Sequence, residues 1–414
     1  MARGVLTERP FRLLFAGRAI SSLGDRLVPV ALAFAVLDLT GSVTDLGLVI
    51  AAQTTPLVVL VLFGGVWADR LPRQLVMLAS DCVRALAQAT SALLLLTGEA
   101  QIWQLIVLQA LYGAAEAFFG PASTAVVSQT VSASELQPAN ALLGLADNAA
   151  EIAGPALAGV VVATAGPGWG LAADAVTFLA SGVCLLALRL ERGEPQPRRS
   201  TLAELSEGWR AFRSRTWLWA SVVFFTLYMA LVFAPFQVLG PAVARSHLGG
   251  AGAWAAISAA LGAGAVAGGV VGLRWKPRRP LRTAFVVFLL SAPALLALVG
   301  AHAPLAAIVA VAILDGGAGS LFNAWWFTAQ QTEVPAGELS RVSSWDYLGT
   351  LALEPVGLAA AGPVAGAVGF SATLFGAAGI GVLLAGAVLL VPAVRNFSPQ
   401  DSLAAAQENP ARGY

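Results

Sequence analysis

The stretch Gly64-Gly65-Val66-Trp67-Ala68-Asp69-Arg70-Leu71-Pro72-Arg73 is a short charged segment between two long apolar runs. A connection this short makes the flanking helices antiparallel neighbours, and its glycines allow the helix ends to approach closely. Asp69 is placed to interact with a helix N-terminus, while Arg70 and Arg73 stay at the water interface. The stretch therefore predicts a tight loop between two spanning helices.

The composition is that of a polytopic membrane protein. The 414 residues are 57% hydrophobic and 11% charged, with a mean hydropathy of +0.77, whereas soluble domains carry about a quarter charged residues. The net charge of +1 says nothing about nucleic acid, because the charges are segregated along the chain, and we expect no nucleic-acid partner. The first twenty residues lack the apolar core and cleavage site of a signal peptide, which predicts a cytosolic lead into the first span.

Hydropathy predicts twelve spanning helices, since each needs about 20 mostly apolar residues. The predicted spans are 13–37, 44–66, 75–96, 102–126, 139–164, 168–189, 216–240, 252–273, 283–300, 304–331, 342–365 and 369–391. The predicted fold is an all-α membrane protein with an N-terminal six-helix half (1–189) and a C-terminal six-helix half (216–391). A cytosolic linker (190–215) with an interfacial helix at 202–212 joins the halves, and a cytosolic tail (392–414) follows them.

Basic residues indicate the orientation, because they are enriched in cytosolic connections. With the N-terminus inside, the cytosolic segments hold nearly every arginine and lysine of the connections, and the opposite side holds only Arg245. We therefore expect a multi-pass protein of the inner (plasma) membrane with both termini in the cytoplasm.

The two predicted halves repeat one another. Seven residues around the fourth span, Gly113, Ala115, Phe119, Val131, Ala133, Glu135 and Leu136, recur as Gly316, Ala318, Phe322, Val334, Ala336, Glu338 and Leu339. The offset is constant and has no gap, so the fourth span corresponds to the tenth.

The order Gly65-x-x-x-Asp69-Arg70-x-x-Arg73, between the second and third spans, resembles the signature loop of the major facilitator superfamily. The text "GGVWADRLPRQLVMLASDCVRAL" is most similar to its drug and siderophore exporters, the macrolide-efflux and enterobactin-exporter group. A degenerate second copy at 268–279 keeps the basic residues but has no acid at the place of Asp69. The resemblance covers essentially the whole chain and implies two parallel six-helix halves, alternating access and a gating role for the loop.

Charges inside the spans are the candidate transport residues, since a mid-membrane charge costs roughly 2.5–3.5 kcal/mol and needs a partner, a wet cavity or a function. In the first span we expect Asp25 to face the central cavity; the alternative is hydration near the outer end. Asp81 and Arg84, three residues apart, are predicted to form a structural ion pair. Glu116 lies deep in an apolar run, where burial favours the neutral, protonatable acid; the alternative is a neutral acid in a lipid-shielded groove.

The fifth span combines two acids with a glycine–proline segment. Asp147 and Glu151 are four residues apart on one helix face and repel each other when both are ionised, which predicts a pair that shares one proton. The following text, "AGPALAG", resembles the glycine–proline motif of the superfamily's antiporters. That resemblance implies close helix contacts at Gly154 and Gly159 and a kink at Pro155.

In the second half, Glu354 of the eleventh span is the predicted transport acid. Glu354-Pro355 is expected to break that helix as Gly154-Pro155 breaks its counterpart. Trp325 and Trp326 lie deeper in the tenth span than an interfacial belt. They are predicted either to form a binding wall for a bulky apolar substrate or to pack in the interior. Asp174, near the start of the sixth span, is assigned an interfacial, structural role.

These features favour a secondary active transporter that exports amphipathic small molecules (a drug, antibiotic or siderophore) by proton antiport. The alternative is a proton-coupled symporter that imports a small nutrient, although the seventh and eighth spans offer few polar groups for it. The sequence holds no Walker loop or metal-ligand spacing, so we expect no enzyme activity, no cofactor and no metal. The expected partners are the substrate, protons and the lipid bilayer, and the expected state is a monomer.

Overall fold

The structure is a computed structural model that describes residues 5–68, 72–127, 129–132, 135–188, 201–275 and 277–398. The helices of the N-terminal part are α1 (Arg9–Asp25), α2 (Val28–Thr40), α3 (Val43–Ala68), α4 (Arg73–Thr97), α5 (Ile102–Val127), α6 (Leu136–Ala165), α7 (Pro167–Ala187) and α8 (Thr201–Arg213). Those that follow are α9 (Thr216–Tyr228), α10 (Ala234–Val243), α11 (Ala251–Arg274), α12 (Pro280–Gly300), α13 (Leu305–Glu333), α14 (Ala336–Leu351), α15 (Glu354–Val368), α16 (Phe370–Leu390) and the short α17 (Pro392–Arg395). No strand occurs in the described ranges.

Eleven helical segments among the described residues are long and apolar enough to cross a membrane. Helix α4 has a comparable length of 25 residues but is more polar, because it carries Asp81, Arg84 and several other polar side chains. With α4 counted, the segments correspond to the twelve predicted spans, and most helix ends lie close to the predicted ones. The predicted all-α membrane fold is confirmed.

Three spans contain irregularities, and one predicted break is absent. The first span is interrupted between Asp25 and Val28, and the eleventh is interrupted before Glu354, where a break was predicted. In the seventh span a π-helical turn, Met229–Phe233, lies between α9 and α10. Such turns are rare in proteins, and those that occur are frequently found at functional sites. The predicted break at Gly154-Pro155 is wrong, because α6 continues through Pro155; a proline inside a helix removes one hydrogen bond and need not end it.

Contacts between Cα atoms divide the chain into two compact units. Unit 1 comprises Met1–Pro197, Gln237–Ala259 and Pro355–Ala367, and unit 2 comprises Arg198–Phe236, Ala260–Glu354 and Val368–Tyr414. Unit 1 therefore joins the predicted first half to parts of α10, α11 and α15. The division of the chain into two six-helix halves stays a prediction.

The internal repeat is visible in helix packing. In unit 1, Gly113 of α5 presses so closely on the backbone carbonyl of Gln53 that an added Cβ atom would overlap it. In unit 2, the repeat-related Gly316 of α13 presses in the same way on the carbonyl of Leu261. Only glycine permits such an approach between helix backbones, which is a common device of membrane helix packing.

A helix is present where the linker was predicted to hold one, at Thr201–Arg213; its interfacial position stays a prediction. Helix α8 packs along α14, with the rings of Trp209 and Trp345 centred 4.9 Å apart. Arg341 of α14 forms an ion pair with Glu207 of α8, and Arg215 forms one with Glu338 at 3.0 Å. Helix α8 is thus fixed to unit 2 by aromatic and charged contacts.

Candidate transport site

A cavity of about 180 Å³ lies inside unit 1. Asp25 and Tyr112 form part of its wall, together with the side chains of Gln53, Gln237 and Trp254. The rest of the lining is Val28, Pro29, Leu32, Ile50, Thr54 and Pro241. The cavity therefore combines a carboxylate, amides and aromatic rings within a mostly apolar lining, as small-molecule sites commonly do.

Asp25 reaches this cavity because the first span is interrupted there. Pro29 lies in the first turn of α2, where a missing N–H is tolerated, so a new helix begins after Asp25. Gly24 allows the end of α1 to lie against α7, since an added Cβ atom would overlap the hydroxyl oxygen of Thr177. The local sequence thus holds Asp25 between the cavity and the helix packing behind it.

The carboxylate of Asp25 has two polar partners from other helices. The Tyr112 hydroxyl donates a hydrogen bond to Oδ1 of Asp25 at 2.5 Å. The same oxygen lies 3.8 Å from Nη1 of Arg84. A third of the Asp25 side chain is exposed, whereas Arg84 is 2% exposed. Asp25 therefore links the cavity to a buried cation.

Arg84 is the centre of a buried polar network. Its Nη2 atom donates to Oδ1 of Asp81 at 2.6 Å, so the predicted Asp81–Arg84 pair is confirmed. The guanidinium carbon also lies 4.4 Å from the centre of the Phe119 ring and 4.2 Å from that of Phe178. Two aromatic faces at this distance stabilise a desolvated cation. The pair is not isolated, since the same guanidinium also faces Asp25.

Asp174 belongs to the same interior and is fully buried on α7. Its Oδ2 atom accepts a hydrogen bond from the Gln88 amide at 3.0 Å, and Gln109 donates to Gln88 at 3.3 Å. The predicted interfacial position of Asp174 is therefore wrong. Asp174 lies about two turns into α7, where α1 and α4 both pack on that helix and bury it.

Glu116 follows Tyr112 by one helical turn on α5. Its Oε2 atom is buried and has no hydrogen-bond partner among the described residues, while Gln53 is its polar neighbour from α3. An unpaired buried carboxyl oxygen is costly unless the group is neutral or solvated. Glu116 thus adds a further acid beside the Arg84 network.

The two acids of α6 have partners that the sequence interpretation missed. Arg18 lies 3.2 Å from Asp147, which also accepts a hydrogen bond from Ser22 at 2.8 Å. Arg26 lies 3.5 Å from Glu151. Each carboxylate therefore has its own guanidinium partner from the first span. The sharing of one proton between the two acids stays a prediction.

The glycines of the α6 motif make close contacts. Gly154 lies against Arg26 and Gly159 lies against Ala255, and an added Cβ atom would overlap a side-chain carbon at either place. The predicted close packing at both glycines is confirmed. Gly154 thereby lets the interrupted part of the first span pass next to α6.

Trp325 and Trp326 are buried in unit 2, with 7% and 4% of their surfaces exposed. The Trp326 ring centre lies 5.5 Å from that of Trp217, and the Trp325 ring centre lies 5.1 Å from that of Trp275. The Trp326 indole N–H donates to Asp346 at 3.0 Å. The sequence left open whether the two tryptophans form a binding wall for a substrate or pack in the interior. These contacts favour packing in the interior.

The remaining predicted residues are only partly described. Asp69 and Arg70 of the gating loop lie outside the described residues, Gly65 lies near the end of α3, and Arg73 begins α4. Glu354 begins α15 and is 8% exposed. Their predicted roles stay predictions.

The sequence interpretation missed Gln88, Gln109 and Tyr112, although the polar residues of the network share a detectable pattern. Asp81, Arg84 and Gln88 recur at spacings of three and four along α4, and Gln109, Tyr112 and Glu116 do the same along α5. Such a polar stripe in a membrane span indicates one buried helix face. The two stripes face each other because α4 packs on α5. This helix contact cannot be read from either stripe alone.

A helical membrane fold whose interior holds acids beside a cavity is typical of membrane transporters. The sequence profile of the Major Facilitator Superfamily matches residues 14–351, so the chain belongs to that superfamily. Multidrug efflux pump Tap of Mycolicibacterium fortuitum is 30% identical over 409 residues, which are 94% of this chain and 97% of Tap. Enterobactin exporter EntS of Escherichia coli O1:K1 / APEC is 27% identical over 393 residues, 93% of this chain and 92% of EntS.

Other relatives match over a smaller part of their length. Macrolide efflux protein A of Streptococcus pyogenes is 22% identical over 243 residues, 58% of this chain and 60% of that protein. The match to the uncharacterized MFS-type transporter YfiS of Bacillus subtilis, 28% identical over 207 residues, spans about half of each chain. Among solved structures, a bacterial homologue of the iron transporter ferroportin in an inward-facing state superposes with a TM-score of 0.74 at 16% identity, covering 93% of this chain and 98% of that one. This likeness supports the fold.

Proposed function

We propose that this transporter exports amphipathic small molecules, such as a drug, an antibiotic or a siderophore, by proton antiport. In this proposal it works as a monomer in the plasma membrane with both termini in the cytoplasm. The names of Tap, EntS and macrolide efflux protein A support export, and the first two relatives cover more than nine-tenths of this chain. Asp25, which lines the cavity of unit 1, supports the proton-coupling part of the proposal.

The observation that carries the proposal is the placement of Asp25 between the cavity and the Arg84 network. Asp25, Asp81, Glu116 and Asp174 lie in this network, and Arg84 is the cation at its centre. A net negative charge inside a membrane protein is costly, so a network with more carboxyl groups than cations favours bound protons. Asp25 is the member that lines the cavity and has a partly exposed side chain.

The geometry suggests how a proton and a substrate exclude each other. When Asp25 is ionised, it accepts from Tyr112 and attracts Arg84, and its exposed part presents negative charge to the cavity. When Asp25 takes a proton from outside, this charge disappears and Arg84 keeps Asp81 as its partner. The charge of the cavity wall therefore differs between the two states, and alternating access by the two halves converts that difference into antiport.

The experiment is export measured in everted membrane vesicles against a compound panel that includes a macrolide and enterobactin. We expect accumulation inside the vesicles for at least one compound, and loss of that accumulation when an uncoupler collapses the proton gradient. Asp25→Asn is expected to abolish gradient-driven accumulation while the protein remains folded in the membrane.

The matched control is Glu99→Gln, which makes the same acid-to-amide change at an exposed position between α4 and α5. This variant should transport as the wild type does. Accumulation that survives the uncoupler, or an Asp25→Asn variant with wild-type accumulation, would refute the assignment of proton coupling to Asp25. Accumulation in right-side-out vesicles alone would support import instead.

A further inference from the structure

Asp315 is a second acid inside the membrane, and its surroundings differ from those of Asp25. It lies in the first half of α13, and the Ser291 hydroxyl of α12 donates to its Oδ1 atom at 2.7 Å. No arginine or lysine among the described residues forms an ion pair with it. A carboxylate inside a membrane span without a cation is a functional candidate, since it must be protonated or hydrated.

The internal repeat relates Asp315 to the site of unit 1. The offset that carries Gly113 onto Gly316 also carries Tyr112 onto Asp315 and Gln88 onto Ser291. In unit 1, Tyr112 donates to the acid of the first span, Asp25. In unit 2, the seventh span carries Tyr228, whose hydroxyl group interacts electrostatically with Asp315. Each unit therefore places one acid and one phenol on the same pair of spans, but with the two residue types exchanged.

Aromatic rings surround Tyr228, the residue of α9 that interacts electrostatically with Asp315. The Tyr228 ring centre lies 5.7 Å from that of Phe224, 5.5 Å from that of Phe288 and 6.2 Å from that of Phe225. These rings supply no cation and no amide to the carboxylate. Among the described residues, Ser291 donates a hydrogen bond to Asp315, and Tyr228 lies close enough to interact with its charge.

The charged residues of the surrounding helices lie away from Asp315 along the chain. Arg282 is in the first turn of α12, Glu333 ends α13 and Arg274 ends α11, while α9 and α16 carry no charged residue. On α14, Asp346 lies at the C-terminal part of α13, where it accepts hydrogen bonds from Trp326 and Gln330. Glu338 and Arg341 of α14 form their ion pairs with Arg215 and Glu207. Tyr228 is therefore the titratable group that faces Asp315 from a neighbouring helix. When a proton binds at this place, it is the carboxylate of Asp315 that loses its charge.

We infer that Asp315, with Ser291 and Tyr228, forms a second proton-binding site in the C-terminal half. The inference rests on the proposed function for its use in transport, since it gives each half one acid that gains and loses a proton. The step is a simple acid–base equilibrium, in which a proton binds the carboxylate and returns to water. The Ser291 hydroxyl donates to the ionised form, and the apolar interior of the membrane favours the neutral form.

The test is infrared difference spectroscopy of the full-length protein in lipid during a pH titration. A protonated carboxylic acid shows a C=O stretching band that disappears on ionisation. We expect Asp315→Asn to lose one component of this band and Asp25→Asn to lose another. Ser291→Ala, which removes the donor to the ionised form, is expected to shift the midpoint of the Asp315 component to higher pH.

An Asp315→Asn spectrum that superposes on the wild-type spectrum across the titration would overturn the inference. If Asp315→Asn does not yield a monodisperse protein, Asp315→Glu replaces it; a shifted component supports the site, and an unchanged spectrum contradicts it. The result is independent of transport. Failure of the vesicle experiment with Asp25 would therefore refute the proposed antiport while leaving the titration of Asp315 measurable.

Discussion

Phe119 of α5 and Phe322 of α13 hold the same place in the internal repeat but have different neighbours. Phe119 faces the guanidinium of Arg84 at 4.4 Å, within a network of four acids. Phe322 packs on the rings of Phe225 at 4.6 Å and Phe285 at 5.4 Å. One repeated scaffold thus holds a buried cation in the first half and an aromatic core in the second.

The difference shows where this protein retains charge at an energetic cost. Burying ions costs several kcal/mol each, and well-packed hydrophobic residues are often equally stable in their place. The aromatic cluster around Phe322 demonstrates that the scaffold accommodates such a core. Under the proposed function, Arg84 and its acids are the groups of the first half whose charge changes during transport.

The largest expected effect comes from removing the central cation. Arg84→Gln leaves Asp25 and Asp81 without their guanidinium, and we expect the free energy of unfolding to fall by about 3–5 kcal/mol. Thermal unfolding in lipid nanodiscs measures the change. The exposed Arg278→Gln should stay within about 0.5 kcal/mol of the wild type.

A rescue sharpens this result. In the triple variant Arg84→Met, Asp25→Asn, Asp81→Asn, the two carboxylates that contact Arg84 are neutralised together with it. Most of the stability should therefore return while gradient-driven transport stays absent. A triple variant as unstable as Arg84→Gln would show that the network serves packing, and the contrast between the halves would lose its functional meaning.

An intermediate effect is expected from the packing of the first span on α7. An added Cβ atom at Gly24 would overlap Thr177, so Gly24→Ala should cost about 1–3 kcal/mol and lower transport, because it displaces Asp25. Gly381, on the last span of the second half, is a glycine with more space around it. The nearest atoms to an added Cβ atom there are 3.4 Å away or more.

Gly381→Ala is therefore the matched control, and it should be neutral or slightly stabilising, since alanine favours helices over glycine. Melting temperatures of the two variants measured side by side give the comparison. Equal losses would contradict the claim that Gly24 positions Asp25 by close helix contact.

The smallest effect compares the two repeat-related rings directly. A double-mutant cycle between Phe119→Leu and Arg84→Met should give a coupling energy of about 0.5–2 kcal/mol, which is the range of a cation–π contact. The same cycle with Phe322→Leu should give a coupling near zero, because Phe322 has aromatic neighbours. Chemical unfolding of the purified variants measures both cycles, and equal couplings would refute the distinction.

The sequence predicted the fold and part of the site. Hydropathy located the spans, the repeat related α5 to α13, and the spacing of Asp81 and Arg84 predicted their pair. The partners of Asp147 and Glu151 were not predictable, because they depend on which face of the first span meets α6. Tyr112 was missed and Asp174 was wrongly placed at the interface for the same reason, since the positions of both depend on contacts between helices.

The central claim is that the proton coupled to transport binds Asp25. Its most direct test uses proteoliposomes and a compound that the vesicle panel identifies as a substrate, with exchange at equal pH compared to accumulation driven by a pH gradient. We predict that Asp25→Asn retains substrate exchange at equal pH and loses the accumulation that a pH gradient drives. Accumulation by Asp25→Asn at the wild-type level would contradict it.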